Sequence, residues 1–322
     1  MDAARPLAPA ADPSPSMRRL FVRLPNHLGD VCMSLPALDH LRAQGFALVV
    51  AGRPWARSLL AAYPDEVVAL SDRLRAQVQA LRHARGGHTL CTLLLTNSLS
   101  SALACRLAGL RPIGYATDAR RLLLKRALPV PPPLHMVEYY FALAQAVTGV
   151  GDASPTPPAL RLTPEARARA QRMLRDAGIA GRFVQLCPVA VGLHKGKVKA
   201  WPGFGALAAR LRSDGHVVVA CPGPGEREAV LRAVPTVTVL PETDVGTFAA
   251  LLAQARLVVA NDSGAGHLAA AVGASLVSVF GVTDPQRTRP RGSRVTVVGG
   301  PDGWPTVDQV YSTVRRALSE PA

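Results

Sequence analysis

Leu257-Val258-Val259-Ala260-Asn261-Asp262-Ser263-Gly264-Ala265-Gly266-His267-Leu268-Ala269-Ala270-Ala271-Val272 reads as a strand, a turn of small residues and a helix. The apolar run at 257–260 is short and does not alternate with polar residues. That is the pattern of a strand covered on both faces of a parallel sheet. The turn carries the chemistry. Asp, Ser and Gly leave backbone N–H groups accessible at a helix start and let an anion approach closely. Asp262 and Ser263 are also ordinary N-cap residues. A cap alone requires neither His267 nor the two glycines.

The same alternation extends outward. Phe183 to Cys187, Val217 to Cys221 and Leu276 to Phe280 read as strands, with helices at about 203–213, 225–233, 246–254 and 264–272. Earlier in the chain, Leu20 to Leu24, Phe46 to Val50 and Leu90 to Thr96 read as strands, with helices at about 34–44, 55–62 and 98–109. Alternating strands and helices give parallel α/β sheets. Gly151 to Pro158 contains three prolines and reads as a linker. The expected organisation is a tail at 1–16, an N-terminal domain at 17–155 and a C-terminal domain at 156–322. Both domains are doubly wound, Rossmann-like and face a central cleft, where the carboxyl ends of strands bind ligands. The last helix, at about 306–319, is a candidate for packing back on the N-terminal domain.

Composition agrees with two folded domains. The chain has 322 residues, more than a single core usually holds. Its net charge is +15, which attracts polyanions. Nucleic acid is not the expected partner, since no helix-turn-helix, zinc or RNP-type signature is present. Five cysteines in no CxxC pair suggest neither a disulfide framework nor a zinc site. The segment before Met17 lacks the apolar core of a signal peptide, and Leu90 to Leu110 is a poor membrane span. The expected location is the cytoplasm.

Three further segments sit at strand-to-helix junctions. In Arg23-Leu24-Pro25-Asn26-His27-Leu28-Gly29-Asp30, Asp30 is either a general base or a first-turn acid favoured by the helix dipole. Cys187 to Pro202 contains Lys195, Lys197 and Lys199 with His194 on a glycine-containing loop, suited to phosphate or to solvent. In Cys221 to Glu228, Glu226 is placed to meet ribose hydroxyls or to cap its own helix.

Taken in order, these motifs resemble the ADP-heptose:lipopolysaccharide heptosyltransferases, glycosyltransferase family 9. The resemblance rests on Arg-Leu-Pro-Asn-x-x-Gly-Asp at 23–30 with Ser34-Leu35-Pro36-Ala37-Leu38, and on Lys-x-Trp-Pro at 199–202. Asn-Asp-Ser-Gly-x-x-His-Leu-Ala-Ala at 261–270 and Phe280-Gly281-Val282-Thr283-Asp284-Pro285 complete it. It implies a GT-B fold with the acceptor on the N-terminal domain and the nucleotide sugar on the C-terminal one. It implies catalytic roles for Asp30 as base and Lys199 at the diphosphate. Asp262 would bind heptose hydroxyls, with Ser263, Gly264 and His267 at the diphosphate and Glu226 at the ribose. Lys195 and Lys197 are further donor-binding candidates. Asn26, His27, Arg120 and Arg121 are acceptor-binding candidates. Ala265-Gly266 stands where the family often has Pro and a larger residue.

The implied reaction is inverting transfer of heptose from ADP-heptose to a Kdo-lipid A or heptosylated core acceptor, with no cofactor and no metal. The basic run Arg111, Arg120, Arg121, Lys125 and Arg126, with Leu122 to Leu124, is either a surface suited to the anionic inner membrane or simply an exposed helix face. The alternatives are a GT-B enzyme using another nucleotide sugar, including a UDP-sugar epimerase, and a two-domain ligand-binding protein.

Overall fold

The structure is a computed structural model. It describes residues 18–88, 90–151, 153–190, 193–194 and 196–320, with the side chains of Leu193 and His194 excepted. The expected tail at 1–16 and Lys195 lie outside the described residues.

The first sheet contains β1 (Arg18–Arg23), β2 (Phe46–Gly52), β3 (Glu66–Ala69), β4 (Cys91–Leu94), β5 (Arg111–Tyr115) and β6 (Arg126–Leu128). Their order is β3-β2-β1-β4-β5-β6, all parallel. The helices are α1 (Leu28–Ala43), α2 (Ala56–Leu59), α3 (Leu74–Arg85), α4 (Leu99–Leu107) and α5 (Met136–Thr148), with a 3₁₀ turn at Asp118–Leu123. Then α6 (Pro164–Asp176) leads into β7 (Phe183–Cys187), the small hairpin β8 (Leu193–His194) and β9 (Lys197–Val198), and α7 (Phe204–Ser213). Next come β10 (Val217–Ala220), α8 (Arg227–Ala233), β11 (Thr238–Val239) and α9 (Val245–Leu252). The chain finishes with β12 (Leu257–Asn261), α10 (Gly264–Ala271), β13 (Leu276–Phe280), α11 (Pro285–Thr288), β14 (Val295–Gly299) and α12 (Val307–Ser319). The second sheet runs β11-β10-β7-β12-β13-β14, also parallel.

Each sheet therefore shows the doubly wound order in which the direction of winding reverses, between β1 and β4 and again between β7 and β12. Ligands of such sheets bind at that reversal, beyond the carboxyl ends of the strands. The central strands are apolar because helices cover both faces: every residue of β7, β12 and β13 is buried.

The described chain divides into two compact units. One comprises the residues up to Asn26, Met33–Arg57 and Pro64–Thr156; the other comprises His27–Cys32, Ser58–Tyr63 and Pro157–Ala322. The second unit thus includes two short segments from the N-terminal half. Tyr63 belongs with it locally, donating its hydroxyl to the carbonyl of Ala159 and accepting from Arg161 N–H.

α12 packs on α7 and on β12 to β14, with Val310 and Val314 in the second unit's core. Its amphipathic face is satisfied there, and a Thr306–Gln309 capping box fixes its start. The basic run from Arg111 is not a helix face: it is β5, the 3₁₀ turn and β6.

Candidate functional site

The site is built where the second sheet reverses. β12 ends in Asn261, a fully buried amide in an otherwise apolar strand. Its Oδ1 accepts the backbone N–H of Trp201 at 2.9 Å, and its Nδ2 donates to the carbonyl of Pro188 at 2.8 Å. One side chain thus ties the ends of β12 and β7 to the segment that enters α7. Trp201 is anchored in turn. It is 3% exposed, its indole N–H donates to the carbonyl of Pro305 at 2.9 Å, and its ring meets Phe204 edge-on.

Lys199 stands two residues before this anchor. Its Nζ lies 2.8 Å from Asp262 Oδ2. Thr283 Oγ1 donates to the same oxygen at 2.7 Å. Asp262 is 5% exposed, whereas the Lys199 side chain is 23% exposed, so the ammonium is the half of the pair that meets solvent. A buried carboxylate needs such partners, since removing it from water is costly. Asp262 is therefore no helix cap.

Ser263 is the N-cap of α10 by position, yet its hydroxyl makes no capping bond. Ser263 Oγ is buried and has no hydrogen-bond partner among the described residues. A hydroxyl at the start of a helix, next to unsatisfied N–H groups and the positive end of the dipole, is equipped for an oxyanion. His267 is buried in the first turn of α10.

Two glycines explain how α10 and the His27–Cys32 segment fit within one unit. A Cβ on Gly29 would stand 2.8 Å from His267 Cδ2, and a Cβ on Gly264 would stand 2.9 Å from Leu28 Cβ. Asp30, in the first turn of α1, is half-buried. Burial pushes the neighbouring Cys32 thiol up to about 12, and the Asp30 charge adds to the effect.

The other predicted residues lie as follows. Glu226 accepts the N–H of Gly223 at 2.9 Å through Oε2 and makes no capping bond to α8. Its charge, after burial and Cys221, helps push the Cys187 thiol up, which places it near the end of β7. Lys197 is exposed on the β8–β9 hairpin. Asn26 and His27 are exposed, and Asn26 Oδ1 accepts from Arg23 Nη2 at 2.7 Å. Arg121 is exposed.

Arg120 departs from the expectation that it binds an acceptor at the surface. It is wholly buried, donating through Nε to the carbonyl of Tyr115 and through Nη1 to that of Thr96. It ties together the carboxyl ends of β4 and β5, and Gly114 leaves room for it. Burial lowers its pKa, a cost accepted for those bonds.

Among the described residues, no group of three or more His, Cys, Asp or Glu side chains is placed to hold a metal ion, and no helix is long and apolar enough to cross a membrane. Asn261 and Thr283 escaped the sequence reading as structural partners of the site. The signal was present for Asn261: an amide closing an apolar strand must find buried partners.

The sequence profile of glycosyltransferase family 9 (heptosyltransferase) matches residues 81–316. The lipooligosaccharide heptosyltransferase 2 of Haemophilus influenzae is 28% identical over 85% of this chain and 86% of its own. The structure of Escherichia coli ADP-heptose lps heptosyltransferase II superposes with a TM-score of 0.76 at 23% identity, covering 93% of this chain and 98% of that one. The structure of E. coli heptosyltransferase WaaC with ADP gives 0.73 at 22% identity, covering 93% and 99%.

Proposed function

Since the chain belongs to glycosyltransferase family 9, the heptosyltransferases, we propose that it moves a heptose from ADP-L-glycero-D-manno-heptose to the inner core of lipopolysaccharide. The observation that carries this reading is the Lys199–Asp262 pair beside the uncapped start of α10. A nucleotide sugar presents a diphosphate and a hydroxylated ring. The half-exposed ammonium of Lys199, the α10 N–H groups and Ser263 Oγ suit the diphosphate. Gly264 and His267 shape that turn. Asp262, held by Lys199 and Thr283 through Oδ2 alone, keeps Oδ1 for sugar hydroxyls. Glu226 suits the ribose, Lys197 supplies charge from the β8–β9 hairpin, and Lys195 is a donor-binding candidate from the sequence alone.

Inverting transfer needs a base for the acceptor hydroxyl and stabilisation of the leaving diphosphate. Asp30 takes the first role and Lys199 with α10 the second. Fixed cations then supply the charge that a divalent ion supplies elsewhere. Asn26, His27 and Arg121 are the acceptor-side candidates. Arg121 and Lys125 flank Leu122, which is 88% exposed, and this supports peripheral contact with anionic lipid on the cytoplasmic face of the inner membrane.

The test is transfer from ADP-heptose to truncated lipopolysaccharide cores, read by mass. One added heptose on one core type is expected, unchanged by EDTA. No transfer to any core removes the reading, and a Mg²⁺-rescued loss under EDTA removes its metal-free part. Co-flotation with anionic but not neutral vesicles checks the membrane contact, and Leu122→Asp should weaken it.

A further inference from the structure

The register of the second sheet brings three basic residues together at its amino edge. β10 pairs with β7 so that Val217 faces Phe183, and β12 pairs with β7 so that Leu257 faces Val184. The residues just before β10, β7 and β12 are His216, Arg182 and Arg256. Neighbouring strands lie about 4.8 Å apart, so the three side chains start within reach of one another. They line one cavity of about 100 Å³, whose other walls are Phe183, Val184 and Leu318. The Lys199–Asp262 pair belongs to the opposite, carboxyl edge of the same sheet. The five residues of β7 separate the two edges by about 16 Å.

The cations there lack an acidic partner. Arg256 Nη2 donates to the carbonyls of Leu318 and Glu320, which fixes the guanidinium against the end of α12. That cap uses one nitrogen. Nη1 is buried with no hydrogen-bond partner among the described residues. Arg182 is exposed and His216 half-buried, and neither meets a carboxylate among the described residues. The ion-paired acids of the second unit are engaged elsewhere: Asp244 with Arg169, Asp262 with Lys199, Asp308 with Arg210 and Glu228 with Arg232. Phe183 and Val184 are buried, so the cavity has an apolar floor beside which charge is weakly screened. Cations grouped over such a floor are stabilised by an incoming anion.

We infer that this cavity binds a phosphoryl group, held between Arg182, His216 and Arg256, as an anion site of the second unit apart from the proposed diphosphate site. A phosphate monoester has three free oxygens and a charge of about −1.5 to −2 near neutral pH. That supplies acceptors for donors arriving from three strands, whereas a carboxylate has two oxygens. Guanidinium forks also match phosphate oxygens in pairs. The volume lies well below the roughly 300 Å³ at which sites for drug-sized ligands begin, so the charged group enters and the rest of its molecule stays outside. Two sources share this chemistry: a soluble phosphate ester and a phospholipid headgroup. The site does not depend on the proposed transfer.

The test is a phosphorus NMR titration of the full chain with inorganic phosphate at constant ionic strength, read by line broadening. Saturable binding is expected in the unaltered chain and equally in Lys199→Met, which disables the other anion site. Arg182→Glu, at an exposed position, and Arg256→Gln should each weaken it about tenfold or more, with circular dichroism confirming that both are folded. Absence of saturable binding, its loss in Lys199→Met, or undiminished binding in either folded variant overturns the inference. Vesicles of phosphatidate in phosphatidylcholine then tell the sources apart, on a Leu122→Asp background that weakens the other lipid contact. Flotation that is lost on adding Arg182→Glu assigns a headgroup, and flotation that Arg182→Glu leaves unchanged assigns a soluble ester; the site stands in both cases.

Discussion

The amide of Asn261 holds Trp201 N–H and the Pro188 carbonyl at once, so its loss leaves both buried groups unpaired. Asn261→Ala is expected to lower stability by about 2–4 kcal/mol, at about 1–2 per orphaned group, measured by urea unfolding. Lys199→Met acts differently. It strands a carboxylate that is 5% exposed, with only Thr283 to meet it. The expected result is loss of ADP binding by calorimetry together with a modest fall in melting temperature, because Lys199 itself is partly solvated. Asp30→Asn should abolish transfer while ADP affinity stays within about twofold; normal turnover in that variant would remove Asp30 as the base. Gly29→Ala forces a methyl to 2.8 Å from the His267 ring and should depress turnover although it adds no charge.

At the scale of elements, α4 and α12 owe their starts to side-chain caps. Ser98 Oγ accepts from Ser101 N–H, and Thr306 Oγ1 accepts from Gln309 N–H. Thr306→Ala should cost about 1 kcal/mol in unfolding experiments with transfer intact, since α12 lies outside the site. The elements visible in the sequence were those with continuous apolar runs: β7 and β13 match residue for residue. α1 starts at Leu28, ahead of the helical pattern at about 34–44, with Asp30 in its first turn. Pro36 sits inside it, and the bond it forfeits is offset by burial of Val31, Leu35, Leu38 and Leu41. The strands β3, β5 and β6 were not legible. They are short, with Glu66, Arg111 and Arg126 at their starts, and only pairing in the sheet makes them strands. Arg120 was misread for a related reason. Local sequence shows a cation among cations, whereas the two carbonyls that bury it come from separate strand ends. At the candidate site, the motif residues were legible because strand ends and glycines mark it. The bracing by Thr283 was not, since its partner lies 21 residues away.

Across the whole molecule, four of the five thiols are buried and Cys91 is half-buried. Burial pushes Cys32, Cys105 and Cys221 up to about 12, and pushes Cys187 up as well. In the unfolded chain these thiols ionise near their ordinary value of 9.0. Below that value both states are protonated and the stability is fully present. Above it the unfolded state loses protons that the folded state keeps, so stability falls as pH rises from about 9 toward 12. Each buried thiol contributes up to about 1.4 kcal/mol per pH unit. Urea midpoints at pH 8 and pH 10.5 should show this fall, and replacing Cys32 and Cys105 by Ala should flatten it. Iodoacetamide on the native chain should label Cys91 alone, by mass. The segments His27–Cys32 and Ser58–Tyr63 carry a different lesson, for those who would recombine such enzymes. A chimera joined at the proline-rich linker would seat its C-terminal half against another parent's two small inserts. Exchange of the second unit between parents therefore requires three crossover pieces, with Gly29 and Gly264 drawn from the same source.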